Sequence, residues 1–175
     1  RCSTGSGRSP RIRGAVVTSA KASFIAGADL DWILSLAEAD VPGEQRALDV
    51  YRTAMRLQQV LRRSETAGKP FVAAINGLAL GGGLELCLAC AHRIVADDPT
   101  IQLGLPEAKV GLLPGGGGTQ RLARILGPLQ ALPLLTEGRS LSPSEALTLK
   151  IVDEIAAAGE IVARASAWIL GTKPP

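Results

Sequence analysis

The stretch from Phe71 to Ala91 constrains this chain more than any other part of it. It is apolar throughout except for Asn76 and Glu85. Its length would span a bilayer. Three features argue against that: Asn76-Gly77 is a turn signal, Gly81-Gly82-Gly83 breaks the run midway, and Glu85 would be costly in hydrocarbon. Two buried elements of a globular protein, joined by a glycine loop, explain the run better, and no membrane span is expected. With 175 residues, 46% of them apolar, the chain is long enough for one domain with a real core. Ala, Leu, Ile and Val carry that fraction, since the chain has only two Phe, two Trp and one Tyr. The composition excludes a collagen-like repeat, a disordered chain and a disulfide scaffold.

The elements around that run alternate between strand and helix patterns. Ala15 to Thr18 reads as a short buried strand, followed by a loop from Lys21 to Ala28. Asp29 is placed to cap a short helix carrying Leu30, Ile33, Leu34 and Leu36. From Gly43 to Ala67, Ala47, Val50, Ala54, Leu57 and Leu61 recur at helical steps, and Gly68 and Pro70 end the helix. Phe71 to Ile75 is a buried strand and Leu84 to Ala91 a buried helix. Arg93 to Ala96 and Thr100 to Leu103 read as strands around an Asp-Asp-Pro turn. Gly115 to Gly118 opens onto a helix from Thr119 to Leu126. Three short helical segments and a strand near Ile151–Val152 complete an α/β pattern with largely buried sheets and no internal repeat.

The formal net charge of +3 hints at nucleic acid until the charges are located. Arg1, Arg8, Arg11 and Arg13 precede every acidic residue, and the remainder holds 15 basic against 16 acidic side chains. Residues 1–13 therefore read as a basic, disordered leader ahead of a nearly neutral domain at 14–175. With no basic stripe and few rings to stack on bases, nucleic-acid binding is not expected. The leader has no apolar segment of the kind a secretory signal needs.

Three cysteines cannot all pair, so reduced thiols and an intracellular setting are the default. Cys87 and Cys90 form a lone C-x-x-C near the single histidine, His92. Zinc wants four ligands and a redox pair wants a helix N-terminus, so packing within the core is the better reading and no metal site is expected.

The residues left to carry chemistry are glycines and two glutamates. Neither glycine cluster fits a P-loop or a G-x-G-x-x-G. Gly81-Gly82-Gly83 sits just before a helix, where outward N–H groups and the helix dipole suit an anion or oxyanion. A tight turn needed only for packing is the alternative. Glu85, one turn into an apolar helix, must be paired, protonated or functional, and burial would raise its pKa toward the acid/base range. Otherwise it turns to solvent and only complements the helix dipole. Glu107 alone reads as a solvated loop carboxylate. Beside Glu85 it would place two carboxyls around one reacting centre.

Three segments, in this order and spacing, resemble the crotonase (enoyl-CoA hydratase/isomerase) superfamily over roughly residues 14–155. They are Phe24 to Leu30; Ala74-Ile75-Asn76-Gly77 with Gly81-Gly82-Gly83-Leu84-Glu85; and Leu105-Pro106-Glu107 with Pro114 to Leu122. Gly104 to Glu107, Ala146-Leu147 and Val152-Asp153-Glu154 are further similar to the hydratase part of multifunctional fatty-acid oxidation proteins, which fuse it to a 3-hydroxyacyl-CoA dehydrogenase. The resemblance implies a crotonase-like ββα spiral core. Relative to it, the chain reads as truncated at both ends, and Asp31 stands where many relatives carry lysine.

By that similarity, the Ala28 and Gly82 N–H groups form an oxyanion hole for the thioester oxygen, each donor worth about 3 kcal/mol in comparable sites. Glu85 and Glu107 correspond to the two catalytic glutamates, with Glu107 favoured as proton donor to C2. The implied reaction is hydration of 2-enoyl-CoA to 3-hydroxyacyl-CoA in β-oxidation. The alternatives are 3-enoyl-CoA isomerisation, or an inactive acyl-CoA-binding fragment. No cofactor is implied, CoA being part of the substrate. The expected partners are an acyl-CoA thioester and further copies of the chain, or the rest of a larger fused protein. The implied compartment is the cytoplasm in a bacterium, and the mitochondrion or peroxisome in a eukaryote.

Overall fold

A computed structural model describes residues 12–27, 29, 31, 35 and 42–171. The leader up to residue 11, and Ala28 with most of the helix expected after Asp29, lie outside the described residues.

The apolar run divides as its glycines require. Strand β1 (Ala15–Val17) is followed by helix α1 (Gly43–Glu65) and strand β2 (Phe71–Ile75). Strand β3 (Ala79–Leu80) leads through Gly81 into helix α2 (Gly82–Leu88). Strands β4 (His92–Ala96) and β5 (Leu103–Gly104) come next, then a 3-10 helix over Pro106–Val110. Helices α3 (Gly118–Leu126) and α4 (Pro128–Glu137), strand β6 (Ser140–Leu141) and helix α5 (Pro143–Thr148) precede strand β7 (Glu154–Ala156) and helix α6 (Ile161–Gly171).

The strands form two sheets. In the larger, ordered β1-β2-β4-β7, every pairing is parallel, with Ala15 opposite Phe71, Val72 opposite His92 and Ile94 opposite Glu154. In the smaller, ordered β3-β5-β6, β3 runs parallel to β5 and β5 antiparallel to β6. The chain visits them in turn. β2 then β3, and again β4 then β5, take one strand in each sheet before the helices that follow. This is the repeated ββα course of a crotonase-like spiral. Val72 to Ile75, Ile94 and Val95 are fully buried, as the unbroken apolar runs of a parallel sheet require. β1 is only partly buried because it lies at the edge of its sheet.

Several boundaries differ from expectation for local reasons. The expected strand at Thr100 starts later because the Asp98 turn captures Thr100, whose N–H and hydroxyl both donate to Asp98 Oδ1 at 2.8 and 2.7 Å. The strand expected at Ile151–Val152 is displaced to Glu154–Ala156: both residues are core side chains, and ladder pairing begins only at Glu154. Asp153 holds the junction, its N–H donating to Arg93 O (2.9 Å) and its carboxylate accepting from Arg93 N–H (2.8 Å). Helix α2 begins two residues early, at Gly82, and ends at Leu88, because Ala91 N–H is already committed to Phe71 O at 2.8 Å.

The segment before residue 28 is fastened to the smaller sheet. Ile25 bridges Ala79, its N–H donating to Leu78 O at 3.0 Å while its carbonyl accepts from Leu80 N–H at 2.9 Å. Asn76 holds the preceding loop, accepting from Ser19 N–H (3.3 Å) and donating to Lys21 O (2.8 Å).

Candidate active site

Glu85 is the buried charged residue of the core, 1% exposed. It faces inward from α2, so the solvent-facing alternative does not hold. Its carboxylate is met by the second glycine cluster. Gly116 N–H donates to Oε1 at 2.8 Å and Oε2 at 2.9 Å, and Gly118 N–H to Oε1 at 2.8 Å. Such charge-assisted bonds offset the desolvation of a buried carboxylate. They also explain the glycines in chemical terms: a Cβ on Gly116 would stand 2.7 Å from Glu85 Oε2. Only a residue without a side chain lets the backbone come this close.

Glu107 arrives from the 3-10 helix, which Pro106 starts and a left-handed Gly111 ends. Its carboxyl lies against the first glycine cluster: a Cβ on Gly81 would stand 3.1 Å from Glu107 Oε1. Gly81 itself has φ 55° and ψ −126°, a conformation that disfavours any side chain. Oε2 of Glu107 is shielded from solvent and has no hydrogen-bond partner among the described residues. Burial raises the Glu107 pKa; its own backbone N–H opposes the rise, and the charge of Glu85 adds to it. The solvated-loop alternative for Glu107 therefore fails. The two glutamates, 22 positions apart in sequence, each lie against a glycine cluster, Glu85 against the second and Glu107 against the first. Glu85 is an acceptor of backbone N–H bonds, and Glu107 holds its proton more tightly than an ordinary glutamate.

Gly82 lies beside them as the first residue of α2. With Gly83 and Leu84, it has no intrahelical acceptor for its N–H. Ala28 is outside the described residues, but its neighbour Gly27 is close to the same loop, with its Cα 3.6 Å from a Cβ placed on Gly81. Leu57 of α1 completes the surroundings, reaching within 3.0 Å of a Cβ on Gly116 and 3.9 Å of one on Gly82.

Three side chains that sequence reasoning left without a role hold the second glycine cluster from behind. Gln58 donates to Gly115 O at 2.8 Å. Arg121 donates through Nη1 to Gly116 O and through Nε to Glu65 Oε1, each at 2.6 Å. On α1, Gln58 and Glu65 look like ordinary polar-face residues, and Arg121 looks like a surface cation on an amphipathic helix. No periodicity marks them.

The cysteine pair takes no part in this site. Cys87 is fully buried and Cys90 nearly so; burial pushes Cys90 up to about 11 and Cys87 well above its usual value. His92 stacks on Trp168, ring centres 4.7 Å apart, with an Asp153 oxygen 3.6 Å from Nδ1 and a Glu154 oxygen 3.9 Å from Nε2. Among the described residues no group of three or more His, Cys, Asp or Glu could hold a metal ion, and no helix is long and apolar enough to cross a membrane.

The sequence profile of the enoyl-CoA hydratase/isomerase family matches residues 6–171. The fatty acid oxidation complex subunit alpha of Shewanella loihica is 43% identical over 145 residues, 82% of this chain and 19% of that protein. Its Aliivibrio fischeri counterpart is 45% identical over 143 residues, 81% of this chain and 20% of that one. Among solved structures, an enoyl-CoA hydratase from Bacillus anthracis matches 92% of this chain and 60% of its own, with TM-score 0.76 and 34% identity. One from Polaromonas matches 95% and 63%, with TM-score 0.81 and 30% identity. The chain thus spans about a fifth of the curated relatives and about three-fifths of the solved ones. The two glutamates, the glycine clusters packed against them and the ββα course of the chain agree with these matches: the chain belongs to the enoyl-CoA hydratase/isomerase family, within the crotonase superfamily.

Proposed function

We propose that this chain hydrates 2-enoyl-CoA thioesters to 3-hydroxyacyl-CoA as a step of fatty-acid β-oxidation, using Glu85 and Glu107. The observation that carries the reading is a pair of interacting carboxyls with unlike surroundings, Glu85 bonded by the N–H groups of one glycine cluster and Glu107 half-buried against the other. A lyase that adds water across C2=C3 needs one group to take a proton from water and another to give a proton to C2. Glu85 accepts three contacts from backbone N–H groups, which leaves a lone pair of Oε2 for a water. Glu107, with its raised pKa and one buried unpartnered oxygen, suits the donor. Water oxygen bonds to C3 as its proton passes to Glu85. The C2=C3 electrons move toward the thioester carbonyl, and Glu107 protonates C2. Exchange with solvent then returns the proton from Glu85 and reprotonates Glu107.

The negative charge that develops on the thioester oxygen would be met by the N–H groups of Gly82 and Ala28, as electrostatic preorganisation requires. Beyond the CoA carried by the substrate, the steps call on no cofactor. The names of the curated relatives support a place in a larger oxidation complex.

Loss of the enoyl thioester absorbance of crotonyl-CoA tests the assignment. Wild type is expected to turn over, and Glu85→Gln and Glu107→Gln to lose at least about 100-fold in kcat. Equal rates for all three proteins, with CoA esters still bound, overturn it. A 3-enoyl-CoA substrate tests the isomerase reading, for which retention of both carboxyls is the weaker fit, since a proton shuttle needs chiefly one.

A further inference from the structure

We propose that Gln58 and Arg121 are positioning residues for Glu85, and that α1 serves as a splint for the glycine loop that holds this carboxylate. The inference rests on the hydratase reading for its kinetic consequence, though not for its structural one. Two adjoining peptide groups carry it. In the Gly115–Gly116 peptide, the carbonyl accepts from Gln58 Nε2 at 2.8 Å and the N–H donates to both oxygens of Glu85. In the next peptide, Gly116–Gly117, the carbonyl accepts from Arg121 Nη1 at 2.6 Å. Each peptide is thus fixed on its far side by a side chain, and the bond from Gln58 also strengthens the Gly116 N–H as a donor to Glu85.

Arg121 is itself held. Its side chain is only 12% exposed, and its Nε donates to Glu65 Oε1 at 2.6 Å. Hydrogen bonding from Arg121 is the largest of the causes that lower the Glu65 pKa. Glu65 also pairs with Arg62 at 3.3 Å. The far ends of both linkages, Gln58 and Glu65, lie on α1 two turns apart. Among that helix's residues only Leu61 is buried, so α1 has little hydrophobic reason to lie where it does. The polar contacts to the loop are what it contributes next to the site. Four glycines in a row have no intrinsic shape, and a loop of that kind presents its N–H groups to Glu85 reliably only if something else fixes it.

The test uses the whole chain with Arg121→Lys, Gln58→Met and Glu65→Gln, and Arg124→Gln as a control on the exposed face of α3. Lysine cannot make the paired Nε and Nη1 contacts, while methionine keeps the shape of Gln58 without its donor. With crotonyl-CoA, Arg121→Lys and Gln58→Met are expected to lose about 10- to 100-fold in kcat with KM within about twofold, as for a misplaced catalytic group. Glu65→Gln should fall between them and Arg124→Gln, which should match wild type. In 15N spectra, the Gly116 and Gly118 amide resonances should move in Arg121→Lys and Gln58→Met and stay in Arg124→Gln. Unmoved amides in the folded variants overturn the proposal. So does a kcat loss no larger than that of Arg124→Gln. If wild type itself does not turn over crotonyl-CoA, the hydratase reading fails, and the amide shifts alone decide whether Gln58 and Arg121 set the contacts of Glu85.

Discussion

Replacing Gly116 with alanine introduces one methyl group at the most crowded point of the site. The new Cβ would stand 2.7 Å from Glu85 Oε2 and 3.0 Å from both Glu85 Cδ and Leu57 Cδ2. Non-bonded carbon contacts settle near about 3.5 Å, so against the two carbons alone roughly 0.5 Å must be found. Leu57 can turn away, but Glu85 is fixed by backbone donors on one side and by the core on the other. The carboxylate therefore moves and loses the Gly116 N–H, a hydrogen bond to a charged group worth about 2 kcal/mol. Overpacking adds about 1 kcal/mol. A total near 3 kcal/mol, at a urea m-value of about 2 kcal/mol/M, lowers the unfolding midpoint by about 1.5 M. Circular dichroism at increasing urea measures this directly. Gly115→Ala is the matched control, because its Cβ would meet only Ala54 Cβ at 3.8 Å, an ordinary contact. Its midpoint should stay within about 0.3 M of wild type. Turnover should fall at least about 100-fold in Gly116→Ala and stay near wild type in the control. Equal midpoints for the two variants would refute the claim that Glu85 is locked to this peptide.

Two further outcomes follow from the titrating groups. Because the folded-state pKa of Glu107 is raised, the contribution of this group to stability is most favourable below the ordinary glutamate value of 4.5 and declines as pH rises through the higher folded value. Glu107→Gln removes that dependence, so its melting temperature should exceed that of wild type at neutral pH and converge with it near pH 4; the reverse order would show that Glu107 is held as a carboxylate. For the thiols, burial holds Cys90 at about 11 and Cys87 higher still, so neither should react with a disulfide reagent at pH 8 until guanidinium unfolds the chain. Rapid labelling of either in the folded protein would contradict the packed-core assignment.

The fold was legible wherever hydrophobic pattern and glycine chemistry act over one element. Phe71 to Ile75 is a strand because five apolar residues end at an Asn-Gly turn, and α1 follows its apolar period from Gly43. Two-residue strands were not legible. Ala79–Leu80 and Ser140–Leu141 are too short to show a period, and they are strands only because Leu103–Gly104 lies between them to complete their hydrogen bonds. The start of α5 shows a different limit. Its signal was present as Ser142-Pro143-Ser144-Glu145, a capping box in which Ser142 N–H donates to Glu145 Oε2 at 2.8 Å. That signal fixes a boundary, while the segment's place in the fold comes from Ala146 and Pro143 being buried.

The site divides along the same line. Glu85 stood out because a charge in an apolar run must have partners, and Glu107 gained meaning only through its possible relation to Glu85. What no sequence pattern could state is which atoms those partners are. They turn out to be the N–H groups of Gly116 and Gly118, more than thirty residues away. A backbone donor leaves no mark in sequence except the absence of a side chain that would block it. That absence is why both glycine clusters were visible while their purpose was not. The same reasoning places Gln58, Glu65 and Arg121 beyond reach: each satisfies the polar face of an amphipathic helix as well as many other residues would. Their value lies in holding carbonyls that any residue possesses. A site built from backbone groups is therefore specified by glycines where chain and carboxylate meet, and by otherwise unremarkable polar side chains one layer behind.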